Sequence, residues 1–158
     1  MRFYLLIPML LCLISCGASK DIGSIDELDL SGKWLKKIPP RVLKYKNLKK
    51  INLRNNNFRK FPVELSELKQ IQTILLSDNN IDSLDEDGIL LFENLEVLDL
   101  DNNQIRVFPN LRKLDNLRIV TIINNELNDV EDLQCKIPKG AVLVHGHEFS
   151  VNGKDCNN

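Results

Sequence analysis

The sequence has few aromatic residues and no excess of basic charge. Aromatic side chains make up 6% of its 158 residues, and the formal net charge is −1. Nucleic-acid-binding domains usually combine a dense basic patch with aromatic side chains on which bases stack. No basic run of that density occurs in this chain. We therefore predict no nucleic-acid partner.

The sequence also lacks the short motifs of common enzyme classes. It contains no G-x-x-x-x-G-K-[ST], no G-x-S-x-G and no H-E-x-x-H. Its two histidines, His145 and His147, lie two residues apart with Glu148 beside them, and on a strand they would share one face. The sequence supplies no fourth zinc ligand and no supporting partner for them. We predict no catalytic residue, no metal and no cofactor, and a zinc site at the two histidines is kept as the alternative.

The apolar run at the N-terminus is too short to span a bilayer as a helix. It covers residues 3–14, about twelve residues, whereas a spanning helix needs about 20. A positive charge at Arg2 precedes it and the small residue Ser15 follows it, which is the order of a secretory signal peptide. We predict a signal peptide over residues 1–15, with a buried core helix as the alternative.

Residues 13–16, LISC, resemble the lipobox of bacterial lipoproteins, in which an apolar residue at −3 and a small residue at −1 precede a cysteine. The resemblance implies that Cys16 carries diacylglycerol, that cleavage occurs before it, and that the new amine receives a fatty acid such as palmitate. Two or more acyl chains hold a protein stably at a membrane. We expect residues 16–24 to be a lipidated tether in the outer membrane, because Gly17 replaces the aspartate that favours inner-membrane retention. Cleavage by an ordinary signal peptidase is the alternative.

Two of the four cysteines remain for folding, because Cys12 would leave with the signal peptide and Cys16 would carry lipid. An exported protein folds in a compartment that permits disulfides. We predict a bond between Cys135 and Cys156 that clamps a C-terminal cap, residues 135–158, over the end of the fold. Two free buried thiols are the alternative.

Five segments repeat one pattern at intervals of 22 to 24 residues. They start at Ile25, Leu48, Ile71, Leu95 and Leu117. Positions 1, 4, 6, 11 and 14 are apolar in every segment, and position 9 is asparagine in four of the five. These asparagines are Asn56, Asn79, Asn103 and Asn125. The pattern extends over residues 25–134 and makes the segments internal repeats.

The repeat matches L-x-x-L-x-L-x-x-N-x-L, and the chain resembles leucine-rich-repeat proteins. The resemblance implies an α/β solenoid of about five repeats, with parallel strands on the concave face and short helical or 3₁₀ segments on the convex face. Positions 4 and 6 point to one side of a strand, and a single unit cannot bury its apolar side without a neighbour. Apolar pairs three residues apart suit the convex turns: Val42 and Tyr45, Leu65 and Leu68, Ile89 and Phe92, Leu111 and Leu114.

The first segment differs from the others in ways that predict an edge of the solenoid. Lys33 stands where the other segments have asparagine, and a lysine is rarely buried without a partner. Trp34 follows at position 10. We predict that Trp34 packs against this edge, and half exposure is the alternative.

The asparagines at position 9 have a structural interpretation. They occur where each strand turns, and backbone groups there would otherwise be buried without partners. An asparagine amide donates and accepts, so it can satisfy such groups in its own unit and in the next one. We predict a ladder of these asparagines along the solenoid. In the run of three, Asn55 lies at the rim of the strand face and is the one candidate for a partner contact.

The outward strand positions form the candidate partner-binding face. We assign to it Lys50, Arg54, Leu75, Val97, Asp99, Asp101 and Ile119. Leu75, Val97 and Ile119, with Ile123, are apolar where the repeat demands nothing apolar, and an exposed apolar cluster suggests a contact site. The alternative is that the cap folds over Ile119 and Ile123.

Charges of opposite sign alternate on the first two strands. Glu27 and Asp29 face Lys49, Lys50 and Arg54. Pairing across neighbouring strands is the favoured interpretation. If those pairs do not form, Lys50 and Arg54 would attract an acidic partner.

The chain as a whole resembles the small leucine-rich-repeat lipoproteins of spirochaetes such as Leptospira. The resemblance implies a monomeric, non-enzymatic module, anchored in the bacterial cell envelope by lipid and either exposed on the surface or periplasmic. Its concave face would bind a protein of the host or of the envelope. The alternative is a structural or assembly role in the envelope.

Overall fold

The computed structural model describes residues 24–130, 133–146 and 148–151, and these form one open sheet with its strands in chain order. The strands are β1 (Glu27–Asp29), β2 (Lys50–Asn52), β3 (Thr73–Leu75), β4 (Val97–Asp99), β5 (Ile119–Thr121), β6 (Val142–His145) and β7 (Glu148–Val151). The first six are parallel, and β7 returns antiparallel to β6. The predicted solenoid of parallel strands is confirmed. The predicted signal peptide and Cys16 lie outside the described residues, as does the tether except for Ser24.

The core is a stack of equivalent apolar residues from successive repeats. Position 4 of each unit is in register with position 4 of the next, from Leu28 through Ile51 to Leu143. From the second repeat to the fifth, the side chains at positions 4 and 6 are all buried. Parallel strands lie about 4.8 Å apart, so each inward side chain packs on its counterparts on both sides. Each inner repeat therefore packs against one neighbour on each side, and a single repeat cannot be stable without them.

The convex side returns through short turns. The first two repeats use 3₁₀ helices, Pro40–Lys44 and Val63–Glu67, and the third uses the four-residue helix α1, Glu86–Ile89. A further 3₁₀ helix, Leu133–Lys136, follows the fifth repeat. In the second and third repeats the predicted apolar pairs are buried, and the rings of Phe61 and Phe92 meet edge to face at 5.5 Å between centroids. No helix in the described part of the chain is long and apolar enough to cross a membrane.

Gly88 marks a close approach between α1 and the preceding 3₁₀ helix. A Cβ added there would lie 2.5 Å from Val63 Cγ1 and 2.9 Å from Asp85 Oδ2. Valine is stiff at χ1, so it cannot move aside cheaply. We expect Gly88→Ala to lower the free energy of unfolding by about 1 to 2 kcal/mol through overpacking. Urea denaturation measures the loss, and Val63→Ala in the same chain should recover part of it; additive losses would contradict the proposed clash.

The first repeat forms the edge of the solenoid, as Lys33 predicts. Its apolar residues Ile25, Leu28, Leu30 and Leu35 are only partly buried. The prediction that Trp34 packs there is wrong, because the side chain is 81% exposed. Position 10 belongs to the loop that leaves the strand, outside the apolar stack, and the other repeats place polar residues there.

The position-9 asparagines bond to backbone groups in two repeats at once. Asn79 Nδ2 donates to Leu53 O (3.0 Å), Leu76 O (3.0 Å) and Ser77 O (3.3 Å), and its Oδ1 accepts from Phe58 N (3.1 Å). The arrangement recurs at Asn56, Asn103 and Asn125. Besides its own repeat, each asparagine bonds to the preceding repeat. The prediction that it would bond to the next repeat is wrong. Each asparagine thus closes the turn of its own strand while holding the neighbour already in place.

The residue before position 9 of each repeat turns the chain with a positive φ. Gly32, Asn55, Asp78, Asn102 and Asn124 occupy position 8, with φ between 53° and 63°. Glycine, asparagine and aspartate are the residues that adopt this left-handed conformation most readily. Three of these side chains also bond along the rim: Asn102 Nδ2 donates to Asp78 Oδ1 (2.9 Å), and Asn124 Nδ2 donates to Asn102 Oδ1 (2.8 Å).

The C-terminal segment continues the sheet beyond the repeats. Cys135 lies in the 3₁₀ helix Leu133–Lys136 and is disulfide-bonded. Cys156 lies outside the described residues, so the predicted pairing of the two cysteines stays a prediction. His145 ends β6 in a half-buried position, and His147 lies outside the described residues.

Candidate functional site

The concave face is formed by rows of outward side chains. Because the strands keep one register, position 3 of each unit stands beside position 3 of the next, and the same holds for position 5. The first row is Glu27, Lys50, Thr73, Val97, Ile119 and Val142. The second row is Asp29, Asn52, Leu75, Asp99, Thr121 and Val144. Position 7 adds a third row, Ser31, Arg54, Ser77, Asp101 and Ile123. The seven residues assigned from sequence all belong to these rows.

One half of the face is apolar. We call its five residues the apolar patch: Leu75, Val97, Ile119, Val142 and Val144. Ile119 is 40% exposed and the other four are half-buried. Strand β6 lies beside β5 in the same sheet, so it adds Val142 and Val144 to the patch. The alternative interpretation was a cap that covers Ile119 and Ile123. In the described residues, Ile119 stays exposed, Ile123 is half-buried, and the strand after β5 extends the face instead of covering it.

The other half of the face is charged and mostly paired. Lys50 Nζ lies 3.1 Å from Glu27 Oε2, and Asn52 Nδ2 donates to Asp29 Oδ2 at 3.2 Å, both between β1 and β2. Ser31 donates to Asp29 from its hydroxyl and its amide, and these bonds lower the pKa of Asp29. The favoured cross-strand pairing is therefore found for Lys50. An exposed pair of this kind contributes about 1 kcal/mol at most, so a partner could replace it at little cost.

Arg54 makes a longer connection than adjacent-strand pairing predicted. Its side chain reaches past β3 to Asp99 on β4, where Nε (2.9 Å) and Nη2 (2.6 Å) both donate to Oδ2. The other oxygen, Asp99 Oδ1, accepts from Thr121 Oγ1 (3.1 Å) and from Asp101 N (3.2 Å). The Asp99 side chain is 8% exposed and the Arg54 side chain 46%. Asp99 is thus a buried acceptor inside the face, and the Arg54 side chain that reaches it remains about half exposed.

Asp101 completes this network on the third row. Its Oδ1 accepts from Ile123 N at 2.7 Å and so ties the segment that follows β4 to the segment that follows β5. Burial raises the pKa of the Asp101 carboxyl, and this hydrogen bond opposes the rise. Asp99 and Asp101 therefore serve the internal order of the face more than its outer surface, which the sequence alone did not reveal.

Two models of the leucine-rich-repeat family match residues 23–81 and residues 93–135, together well over half of the chain. The chain is a leucine-rich-repeat protein. Leucine-rich-repeat domains are generally protein–protein interaction modules, and the fold is typically a scaffold without enzymatic activity. The apolar patch lies on the concave face of this repeat protein.

Several known proteins resemble this leucine-rich-repeat chain. A probable inactive serine/threonine-protein kinase of Dictyostelium discoideum is 29% identical over 133 residues, which are 80% of this chain and 5% of that protein. The structure of a leucine-rich-repeat protein of Leptospira interrogans is 26% identical with a TM-score of 0.60, covering 78% of this chain and 37% of that one. An internalin of Listeria monocytogenes is 20% identical with a TM-score of 0.55, covering 70% and 33%. The chain therefore spans a minor part of each relative.

Proposed function

We propose that this protein is an exported, lipid-anchored module of a bacterial cell envelope that binds a protein through its concave face. The observation that carries the proposal is the apolar patch. Its five side chains face outward on four successive strands. At three of them, Leu75, Val97 and Ile119, the repeat requires nothing apolar. Clustered apolar side chains on a surface mark contact sites more often than scattered ones. The paired charges of β1 and β2 would form the polar rim of such an interface.

The membrane part of the proposal rests on the sequence. It comprises a signal peptide over residues 1–15, a lipidated Cys16, a tether to residue 24, repeats over residues 25–134, and a cap over residues 135–158 clamped by Cys135 and Cys156. We propose a monomer, with the concave face directed away from the outer membrane. The reason for this orientation is that an interaction module needs a tether that leaves its binding face free.

Capture of a partner by the soluble chain, residues 17–158, tests the binding face. We expect Val97→Asp with Ile119→Asp to reduce capture from envelope and host extracts about tenfold or more, since a charge would have to be desolvated in the interface. Val107→Asp is the matched control, because Val107 is 66% exposed but lies outside the three rows. Circular dichroism must show that both variants fold. Equal capture by the double variant and the wild type would place the interface elsewhere.

Exposure at the cell surface is a separate prediction. We expect added protease to remove the protein from intact cells, because a tether of about nine residues at the outer leaflet leaves the domain accessible. Immunoblotting of intact and broken cells measures this, with a periplasmic protein as the control. Protection in intact cells and digestion in broken ones would favour a structural or assembly role inside the envelope.

A further inference from the structure

Trp34 is the least expected side chain on this protein. It is the only tryptophan in the sequence, it is 81% exposed, and its φ is +58°. A bulky residue at positive φ is a genuine outlier, and such strain tends to be found where a side chain is held for a function. Exposure of a large apolar ring also costs hydration free energy. Folding alone therefore gives no reason for tryptophan at this position.

The loops beside Trp34 form a continuous lateral edge of the solenoid. Asn57 N donates to Leu35 O (2.7 Å), Asn80 N donates to Phe58 O (2.9 Å), and Gln104 N donates to Ile81 O (2.8 Å). These bonds stack position 10 of each repeat against the repeat before it. The row begins with Trp34 and continues with the amides of Asn57, Asn80 and Gln104.

A groove of about 470 Å³ runs along this edge. It is lined by Lys36, Asn57, Arg59, Asn80, Asp82 and Gln104. Small-molecule sites commonly have volumes of about 300 to 1,000 Å³. The groove is open and polar, so it suits a hydrophilic ligand that lies along the surface.

The polar groups of this groove are largely unused by the fold. Among the described residues, the side chain of Asn57 makes no hydrogen bond, and Asn80 meets Gln104 only at 3.5 Å. Lys36 and Arg59 enter none of the ion pairs found in the described residues. Asn56 and Asn79, the position-9 neighbours of these residues, are by contrast fully bonded to backbone. In the part of the chain that the structure describes, this groove thus holds one unbonded side-chain amide, that of Asn57, and two cations outside the ion pairs. Trp34 is not part of the groove lining; it lies at the end of the edge, two residues before Lys36, with its ring exposed.

We propose that Trp34 and this groove bind an oligosaccharide that carries a carboxylate. The flat ring of Trp34 would pack on the apolar C–H face of a sugar ring, which an amphipathic aromatic side chain suits. Asn57, Asn80 and Gln104 each offer donors and an acceptor to neighbouring hydroxyls. Arg59 and Lys36 would hold the carboxylate with charge-assisted hydrogen bonds. With Asp82 as its one acid, the lining has a net positive charge, which favours an acidic sugar over a neutral one.

Trp34 itself reports on the site, because its emission is the only tryptophan signal of the protein. Trigalacturonic acid is the probe, the neutral sugar maltotriose tests the need for the carboxylate, and triglutamate tests charge without sugar. We expect a saturable change in Trp34 emission with trigalacturonic acid, binding about tenfold weaker with maltotriose, and no saturable response to triglutamate.

Two variants test the residues by isothermal titration calorimetry. Trp34→Gly should abolish binding of trigalacturonic acid while leaving the thermal midpoint unchanged or higher, since glycine accepts the positive φ. Arg59→Ala should weaken binding about tenfold. Arg41→Ala is the matched control, because Arg41 is exposed on the convex turn of the first repeat and should leave affinity unchanged.

Three results would overturn the proposal: no saturable response to trigalacturonic acid at millimolar concentration, triglutamate binding as tight as the sugar, or sugar binding retained in Trp34→Gly. The site does not depend on the proposed concave interface. Val97→Asp with Ile119→Asp should keep the affinity for trigalacturonic acid, so the two proposals can fail separately.

Discussion

Replacing Asn79 with leucine is expected to lower the free energy of unfolding by about 3 to 5 kcal/mol. Leucine has a similar size and fits an apolar interior, so the loss would come from hydrogen bonding and not from volume. The amide of Asn79 donates to Leu53 O, Leu76 O and Ser77 O and accepts from Phe58 N, all in the interior between two repeats. Without it, those backbone groups are buried with fewer partners, and each unsatisfied group costs about 1 to 3 kcal/mol.

Asn80 is the matched control for this experiment. It is the next residue, also asparagine, and its side chain has only a weak contact of 3.5 Å to Gln104. Asn80→Leu should therefore change stability by less than about 0.5 kcal/mol. Urea denaturation followed by circular dichroism measures both variants, with Trp34 fluorescence as a second probe for the first repeat. Equal losses in the two variants would show that the ladder does not stabilise the fold.

Removing the Arg54 guanidinium is expected to cost about 2 kcal/mol, a value reduced from that of a fully buried pair because Arg54 is half exposed. The cost arises at Asp99, whose side chain is 8% exposed and would lose two donors to Oδ2. Thr121 Oγ1 and Asp101 N would still donate to its other oxygen, which limits the loss. Thermal and urea unfolding of Arg54→Ala measure the effect.

Lys50 provides the comparison for Arg54. It pairs with Glu27 at 3.1 Å, but both side chains are well exposed, so Lys50→Ala should cost less than about 0.5 kcal/mol. Combining Arg54→Ala with Asp99→Asn should cost less than the sum of the two single changes, because the neutral amide no longer needs a counterion. Additive losses, or equal losses for Arg54→Ala and Lys50→Ala, would contradict the argument that burial of Asp99 makes this pair matter.

The repeat and its strands were predictable because they depend on local pattern. Apolar residues at positions 4 and 6 select one face of a strand, and a period of 22 to 24 residues requires identical neighbours to stack. Each strand thus lies where the pattern places it, from Leu28 in β1 to Val120 in β5. The position-9 asparagines were recognisable for the same reason, since their spacing follows the strands.

Other recurrent features are present in the sequence, but the predictions above do not use them. Gly32, Asn55, Asp78, Asn102 and Asn124 recur at position 8, and that choice of residues signals a left-handed turn. A second recurrence precedes position 1, where Asn94 Nδ2 donates to Lys69 O and Asn116 Nδ2 to Glu93 O, each at 2.9 Å. Residues 142–145 form β6, and the valines at 142 and 144 lie in the two rows of the concave face, outside the set assigned to that face from the sequence.

Sequence by itself determined the architecture of this leucine-rich-repeat protein: the repeat, the direction of its strands and the side of each strand that is buried. These follow from hydrophobic periodicity, which acts between residues close together in the chain. Only the tertiary structure decided which outward side chains are free. Arg54 meets Asp99 across an intervening strand, and Trp34 stands exposed at the start of a row whose later members are amides from the following repeats. The residues concerned are about one to two repeats apart in the chain. The distance between their side chains depends on how the repeats stack, and a local sequence pattern does not predict it.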